Sequence, residues 1–153
     1  MVVYRIVKLK KRTADLSGIG AFNEGGRWNN EGTYVLYTSE NSALAFLEIL
    51  VHVDFSELPQ KMFIIAIEIN SKSKIIEIKD KALPADWRIP ENIELKTIGD
   101  RIISENKYLA IKARSAVFPT QYNYILNPNH PEFSKSVKVI GVQELEIDPR
   151  LRK

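Results

Sequence analysis

The sequence predicts an α+β fold built as one domain over residues 1–153. Three observations carry this. Segments of strand composition outnumber those with helical spacing. The two kinds do not alternate regularly, as a doubly wound parallel sheet would require. No linker, repeat or low-complexity tract interrupts the chain, whose 153 residues suffice to bury a core without staples.

Taken in order, Val2 to Val7 reads as a short strand, with Arg5 inside it. Gly18 to Gly32 forms a glycine-rich loop carrying Gly18, Gly20, Gly25, Gly26 and Gly32. Tyr34 to Thr38 is β-rich. Ser39 reads as an N-cap, with Glu40 in the first turn, of a helix running to about His52. Met62–Ile69 and Lys74–Ile78 read as strands, and Pro84–Pro90 as loop. Ile93–Ser104 has helical spacing, with Leu95, Ile98 and Ile102 on one face. Tyr108–Ala113 is a strand and Tyr122–Leu126 a short β-rich segment. Asn127–Pro131 is a turn, and Val137–Ile147 closes the fold as one or two strands.

Composition narrows the chemistry. There is no cysteine, so disulfides, thiolate catalysis and cysteine-ligated zinc are excluded together. His52 and His130, the two histidines, lack ligand spacing, so no metal site is expected. Met1 to Arg12 is too charged for a signal peptide, and no stretch approaches the ~20 apolar residues of a membrane helix. A cytoplasmic protein is the expectation. The net charge of +3 suits an anionic substrate such as a dinucleotide, and also a nucleic acid. The basic clusters Lys8–Arg12 and Arg150–Lys153 read as solvated ends of the chain. A base-reading basic helix, paired RNA-binding aromatics and a two-histidine catalytic spacing are all missing, so direct nucleic-acid binding is not expected.

Four places could carry chemistry. From Ala43 to Val51 the predicted helix is apolar except at Glu48, which shares a face with Leu44, Leu47 and Val51. Such a helix should be largely buried, and a carboxylate there needs a partner. The pattern leaves open a structural ion pair or a catalytic acid. The loop Gly25-Gly26-Arg27-Trp28-Asn29 allows close backbone approach, a planar guanidinium fork for phosphate oxygens, and a flat apolar ring. A tight turn with a surface Arg and a core Trp fits the same residues. Tyr37 could stack on a base or nicotinamide, or be an ordinary sheet tyrosine. Ser115 could hold a ribose or phosphate, or cap a turn.

Together these segments resemble the RES domain, named for an Arg, a Glu and a Ser. The matching stretches are Tyr4–Ile6, Gly25–Asn29, Val35–Glu40, Ala43–His52, Arg114–Pro119 and Tyr122–Phe133. They stand in the family's order and span nearly the whole chain. The resemblance implies a fold like that of ADP-ribosyltransferases, with a mixed or antiparallel split sheet and a few helices around it. It implies a bacterial toxin that consumes NAD by cleaving the nicotinamide–ribose bond, as glycohydrolase or phosphorylase, with protein ADP-ribosylation as the alternative and an RNA-directed toxin as a distant one. NAD is then substrate and no cofactor is implied, although inorganic phosphate is a candidate co-substrate. The implied partner is an antitoxin with an Xre-type helix-turn-helix, with room for a homo-oligomer in that complex.

By the same resemblance the catalytic set falls on Arg27, Tyr37 and Glu48. The substrate-binding set falls on Arg5, Gly26, Trp28, Ser115 and Asn123. Arg27 would hold the pyrophosphate, Arg5 would support it or a ribose, Tyr37 would stack on nicotinamide, and Glu48 would steady the cationic ribose. Ser115 would anchor that ribose or the acceptor. One position departs from the pattern: Arg114 precedes Ser115, where family members often have Pro.

Overall fold

The computed structural model describes Met1 to Arg152. Seven strands form a single sheet: β1 (Val2–Val7), β2 (Leu36–Ser39), β3 (Lys61–Ile69), β4 (Ile75–Glu77), β5 (Ala110–Arg114), β6 (Tyr122–Leu126) and β7 (Val137–Glu146). Their spatial order is β4-β5-β6-β2-β1-β3-β7. Neighbours are antiparallel except β4 and β5, which are parallel. That pair needs a crossover, which helix α3 (Ile93–Ser104) supplies. The other helices are α1 (Ile19–Glu24), α2 (Ser42–Leu50) and the single turn α4 (Phe133–Ser136).

The sheet has a seam. β1 and β3 pair over six residues, but β1 and β2 register only at Tyr4 and Ser39. One half is therefore β4-β5-β6-β2 and the other β1-β3-β7. One face carries a core that crosses the seam, with Val3, Val7, Leu36, Phe63, Ile65, Tyr124 and Leu126. The opposite face carries two separate clusters. Trp28, Val35, Leu95, Ile102, Ile111 and Ile125 gather under α3 on one half. Ile6, Ala45, Leu58 and Met62 gather under α2 on the other. Between those clusters the face is polar.

Several elements differ from expectation. Helix α2 starts at Ser42, and its cap is Asn41, whose Oδ1 accepts from the Leu44 amide at 2.8 Å. Ser39 is still in β2, and the Glu40 carboxylate accepts from the Tyr122 amide at 3.0 Å instead of facing a helix dipole. The helix is also less buried than its composition suggests. Only Leu44 and Ala45 are fully covered, because the sheet flanks it on one side alone. The glycine-rich stretch contains α1, between Gly18 and Gly25, both at positive φ. β7 is one strand, with an irregularity where Ala66 and Ile67 meet it.

Helix α3 behaves as its spacing predicts. Asn92 caps it by accepting from the Leu95 amide at 3.0 Å, and Leu95, Gly99, Ile102 and Ile103 form its buried face. Gly99 has a specific reason. A Cβ there would lie 1.8 Å from the Trp28 carbonyl oxygen, so the helix crosses directly over the glycine-rich loop. No helix is long and apolar enough to cross a membrane, and no cluster of three His, Asp or Glu suits a metal ion, among the described residues.

Candidate active site at the sheet seam

Strand alternation places Tyr37 and Ser39 of β2 on the polar face between the two clusters. Asn123 of β6 pairs with Ser39, and Tyr4 of β1 pairs with it from the other side, so they share that face. Ser115 follows β5 and joins them. Glu48 enters from above, on α2.

Four side chains connect there. Ser39 Oγ donates to Asn123 Oδ1 at 2.7 Å, which orients the amide so that Nδ2 points at Glu48. Asn123 Nδ2 donates to Glu48 Oε1 at 2.5 Å, and Ser115 Oγ donates to the same oxygen at 2.7 Å. Both donors converge on Oε1, so Oε2 keeps its lone pairs for a ligand. Hydrogen bonds to an ionised carboxylate are the strong kind and fix its direction. Glu48 is half-buried, whereas Ser115 is fully buried. The Ser115 hydroxyl also accepts from the Val117 and Phe118 amides at 3.2 and 3.0 Å. Its donor and acceptor capacity is thus used within the protein. Ser115 and Asn123, expected as direct substrate contacts, instead hold Glu48. Ser39, which reads as a helix cap in the sequence, belongs to this cluster instead. Its signal was the alternation in Tyr37-Thr38-Ser39, which puts the first and third on one side.

The glycine-rich loop is fastened to the same strand two residues away, about 7 Å along β2. Tyr37 Oη donates to Asn29 Oδ1 at 2.8 Å and accepts from the Trp28 amide at 2.9 Å. Burial pushes the Tyr37 phenol well above its ordinary range, so it stays a neutral donor. Buried Asn29 knits the loop by donating to the carbonyls of Ala21 and Thr33. Gly26 lies against the Tyr37 ring, where a Cβ would be 2.8 Å from two ring carbons. Gly26 and Tyr37 therefore hold the loop in place, and part of the ring expected to stack on a ligand is covered by that glycine.

Arg27 stands at the loop's tip, half-buried. Its Nη1 donates to the carbonyls of Trp87 and Ile89, at 3.0 and 3.3 Å. Nε and Nη2 hold no acceptor among the described residues, so the guanidinium keeps an edge for an anion. The segment 86–91 is thereby drawn over the loop, and Arg88 Nε ties it to the Ala116 carbonyl, beside Ser115, at 3.1 Å.

Two expected ligand contacts are corrected. Trp28 is 3% exposed and packs under α3, so its ring is core and offers no open face. Arg5 alternates with Val3 and Val7 on the other face of the sheet from Glu48. Its Nη1 donates to the Asp15 carbonyl at 2.6 Å, and burial, with Arg12 nearby, lowers its pKa. The sheet itself separates Arg5 from the Glu48 cluster. Arg114 likewise faces away. It grips Asp80 through Nε and Nη2 at 2.9 and 3.0 Å and donates through Nη1 to the Pro119 carbonyl. In place of a proline, an ion pair shapes the turn that carries Ser115. His52 is exposed beyond the end of α2.

The RES domain model matches residues 2–149. The chain belongs to the RES-domain family. A protein named Toxin Res from Yersinia enterocolitica is 31% identical over 153 residues, covering 99% of this chain and 100% of that one. A second Toxin Res, from Photorhabdus laumondii, is 33% identical, over 100% of this chain and 98% of its own length. The Prs ADP-ribosylating toxin of a Sphingobium strain is 31% identical, over 90% of this chain and 86% of that protein. The solved Mycobacterium tuberculosis MbcT–MbcA toxin–antitoxin complex contains a chain that superposes with a TM-score of 0.77 at 14% identity, covering 99% of this chain and 86% of that one. At that identity the likeness concerns the fold. Of the residues that the resemblance singles out, Glu48 and Ser115 are hydrogen-bonded to each other.

Proposed function

We propose that this RES-domain chain is a bacterial toxin that consumes NAD by breaking the bond between nicotinamide and its ribose. The observation that carries the reading is the Glu48 carboxylate, fixed through one oxygen by Ser115 and Asn123 with the other left free. A carboxylate so held is a preorganised negative charge, which favours a cation forming beside it.

In the reaction the C1′–N bond breaks, and its electron pair leaves with nicotinamide, which becomes neutral. Positive charge builds on the ribose as in glycoside hydrolysis. Glu48 Oε2 accepts a hydrogen bond from a ribose hydroxyl and stabilises that charge. Arg27 meets the pyrophosphate through Nε and Nη2, and the exposed part of Tyr37 borders the nicotinamide. An acceptor oxygen then bonds to C1′ and releases its proton. Water gives ADP-ribose, and inorganic phosphate gives the 1-phosphorylated sugar. The partner in this reading is an antitoxin of the Xre type, and the compartment is the cytoplasm.

A second reading, transfer of ADP-ribose to a protein, is favoured by the likeness to the Sphingobium Prs ADP-ribosylating toxin. One experiment separates these. Purified protein is incubated with NAD, with and without phosphate, and products are read by mass spectrometry. Release of nicotinamide with a free or phosphorylated ADP-ribose supports depletion. A protein adduct with little free sugar supports transfer. Intact NAD under all conditions would refute both.

A further inference from the structure

Beside Arg27 lies a second cation that the proposed reaction does not use. Lys96, on the buried face of α3, has a side chain only 11% exposed. Its ammonium sits behind the glycine-rich loop, 3.6 Å from where a Cβ on Gly25 would stand. Its carboxylate partner is Glu91, 2.7 Å away, on the segment that Arg27 holds. Glu91 is 81% exposed in its side chain and takes a left-handed backbone, with φ of 59°, which a non-glycine residue adopts under constraint.

A buried lysine is costly without an anion. Here the anion comes from a surface segment in an unfavourable backbone conformation. Lys96 and, less strongly, Arg27 both hold the Glu91 carboxyl below its ordinary range, so each cation acts on the same spot.

We propose that Lys96 and Arg27 form a phosphate-binding pair, and that Glu91 is an internal counter-ion which a phosphate group displaces. This deepens the reading above, and rests on it only for which phosphate arrives. The ligand chemistry is a phosphate oxygen anion, brought by the dinucleotide's pyrophosphate or by inorganic phosphate as acceptor. Displacing Glu91 frees segment 86–91 from Lys96 and lets the backbone at Glu91 relax. Lys96 is a binding residue in this scheme, and Glu91 a gate on it.

The test is calorimetric titration of the full chain with ADP-ribose, with inorganic phosphate, and with adenosine as a phosphate-free control. Glu91→Gln removes the exposed charge, while the carboxamide oxygen can still accept a hydrogen bond from the Lys96 ammonium. It should tighten ADP-ribose or phosphate binding by roughly threefold to tenfold, an effect that fades with added salt. Lys96→Met should weaken the same ligand tenfold or more, and Lys96→Arg should restore most of it, with adenosine unaffected throughout. Competition between phosphate and ADP-ribose assigns the site to the pyrophosphate. Simultaneous binding, with only phosphate responding to Glu91→Gln, assigns it to the acceptor. Equal affinities of parent and Glu91→Gln for both anions would overturn the proposal, even if Lys96→Met failed to fold. Because binding is measured, intact NAD in a turnover assay would count against the reaction and leave this site standing.

Discussion

Replacing Ser115 with alanine tests whether the seam cluster is held together as described. The hydroxyl gives one hydrogen bond to a carboxylate, at 2.7 Å, and receives two from the Val117 and Phe118 amides. A bond to a charged partner contributes about 1.5–3 kcal/mol. The two amides are part-buried, and where water replaces the hydroxyl their loss adds about 1 kcal/mol or less together. The sum is roughly 2–4 kcal/mol. For a domain of this size each kcal/mol lowers Tm by about 2–4 °C, so a fall of roughly 5–15 °C is expected. Thermal unfolding followed by circular dichroism reads this directly. Asn123 donates to the same oxygen, so Ser115→Ala combined with Asn123→Ala should be non-additive by about 0.5 kcal/mol or more. A Ser115→Ala Tm within about 2 °C of the parent, or strict additivity with Asn123→Ala, would refute the arrangement.

Gly99→Ala should prevent stable folding, because its Cβ would meet backbone at 1.8 Å and the Trp28 carbonyl cannot swing aside; a soluble variant with parental Tm would contradict this. Tyr37→Phe removes both bonds that anchor the glycine-rich loop and should speed amide exchange at Trp28, read by hydrogen–deuterium exchange. The Asp15 carboxyl is pulled from 3.8 to about 2, first by the Ser17 hydroxyl and then by the Ser17 amide, with a smaller pull from Arg12. Its folded pKa lies below the unfolded one, so this stabilisation is complete above about pH 5 and is lost as pH falls toward 2. Asp15→Asn should flatten the acid side of the stability curve, and an unchanged acid limb would contradict that origin. Asp80→Asn breaks the grip on Arg114 and should loosen the 115–121 turn, seen as faster proteolysis there; equal cleavage would deny Arg114 that role.

Much of the fold could be read where the physical signal is local. Helix α3 shows its apolar spacing and Asn cap in the chain itself, and β3 shows a continuous apolar run. What depends on neighbours could not be read so well. Ser39 looks like a cap until β6 is laid beside it and Asn123 takes its hydroxyl. Trp28 looks like a ligand platform until α3 crosses it at Gly99. Arg5 carried a usable clue, since it alternates with Val3 and Val7 rather than with Tyr4 and Ile6. The resemblance to a family pointed to segments, but not to which residue touches which. Glu48 and Ser115 lie 67 positions apart, and only the folded sheet brings them to 2.7 Å. Lys96 was hidden in an amphipathic helix, where a lysine gives no hint that it is covered.

The most direct test is the rate of NAD loss with Glu48→Gln. The carboxamide oxygen can still accept from Ser115 and Asn123, so the substitution removes the charge and keeps the fold. A fall of about 10²–10³-fold in rate, typical for loss of one preorganised electrostatic group, with Tm changed by no more than ~3 °C, is expected. NAD consumed at the parental rate by a folded Glu48→Gln chain would contradict the role given to this carboxylate.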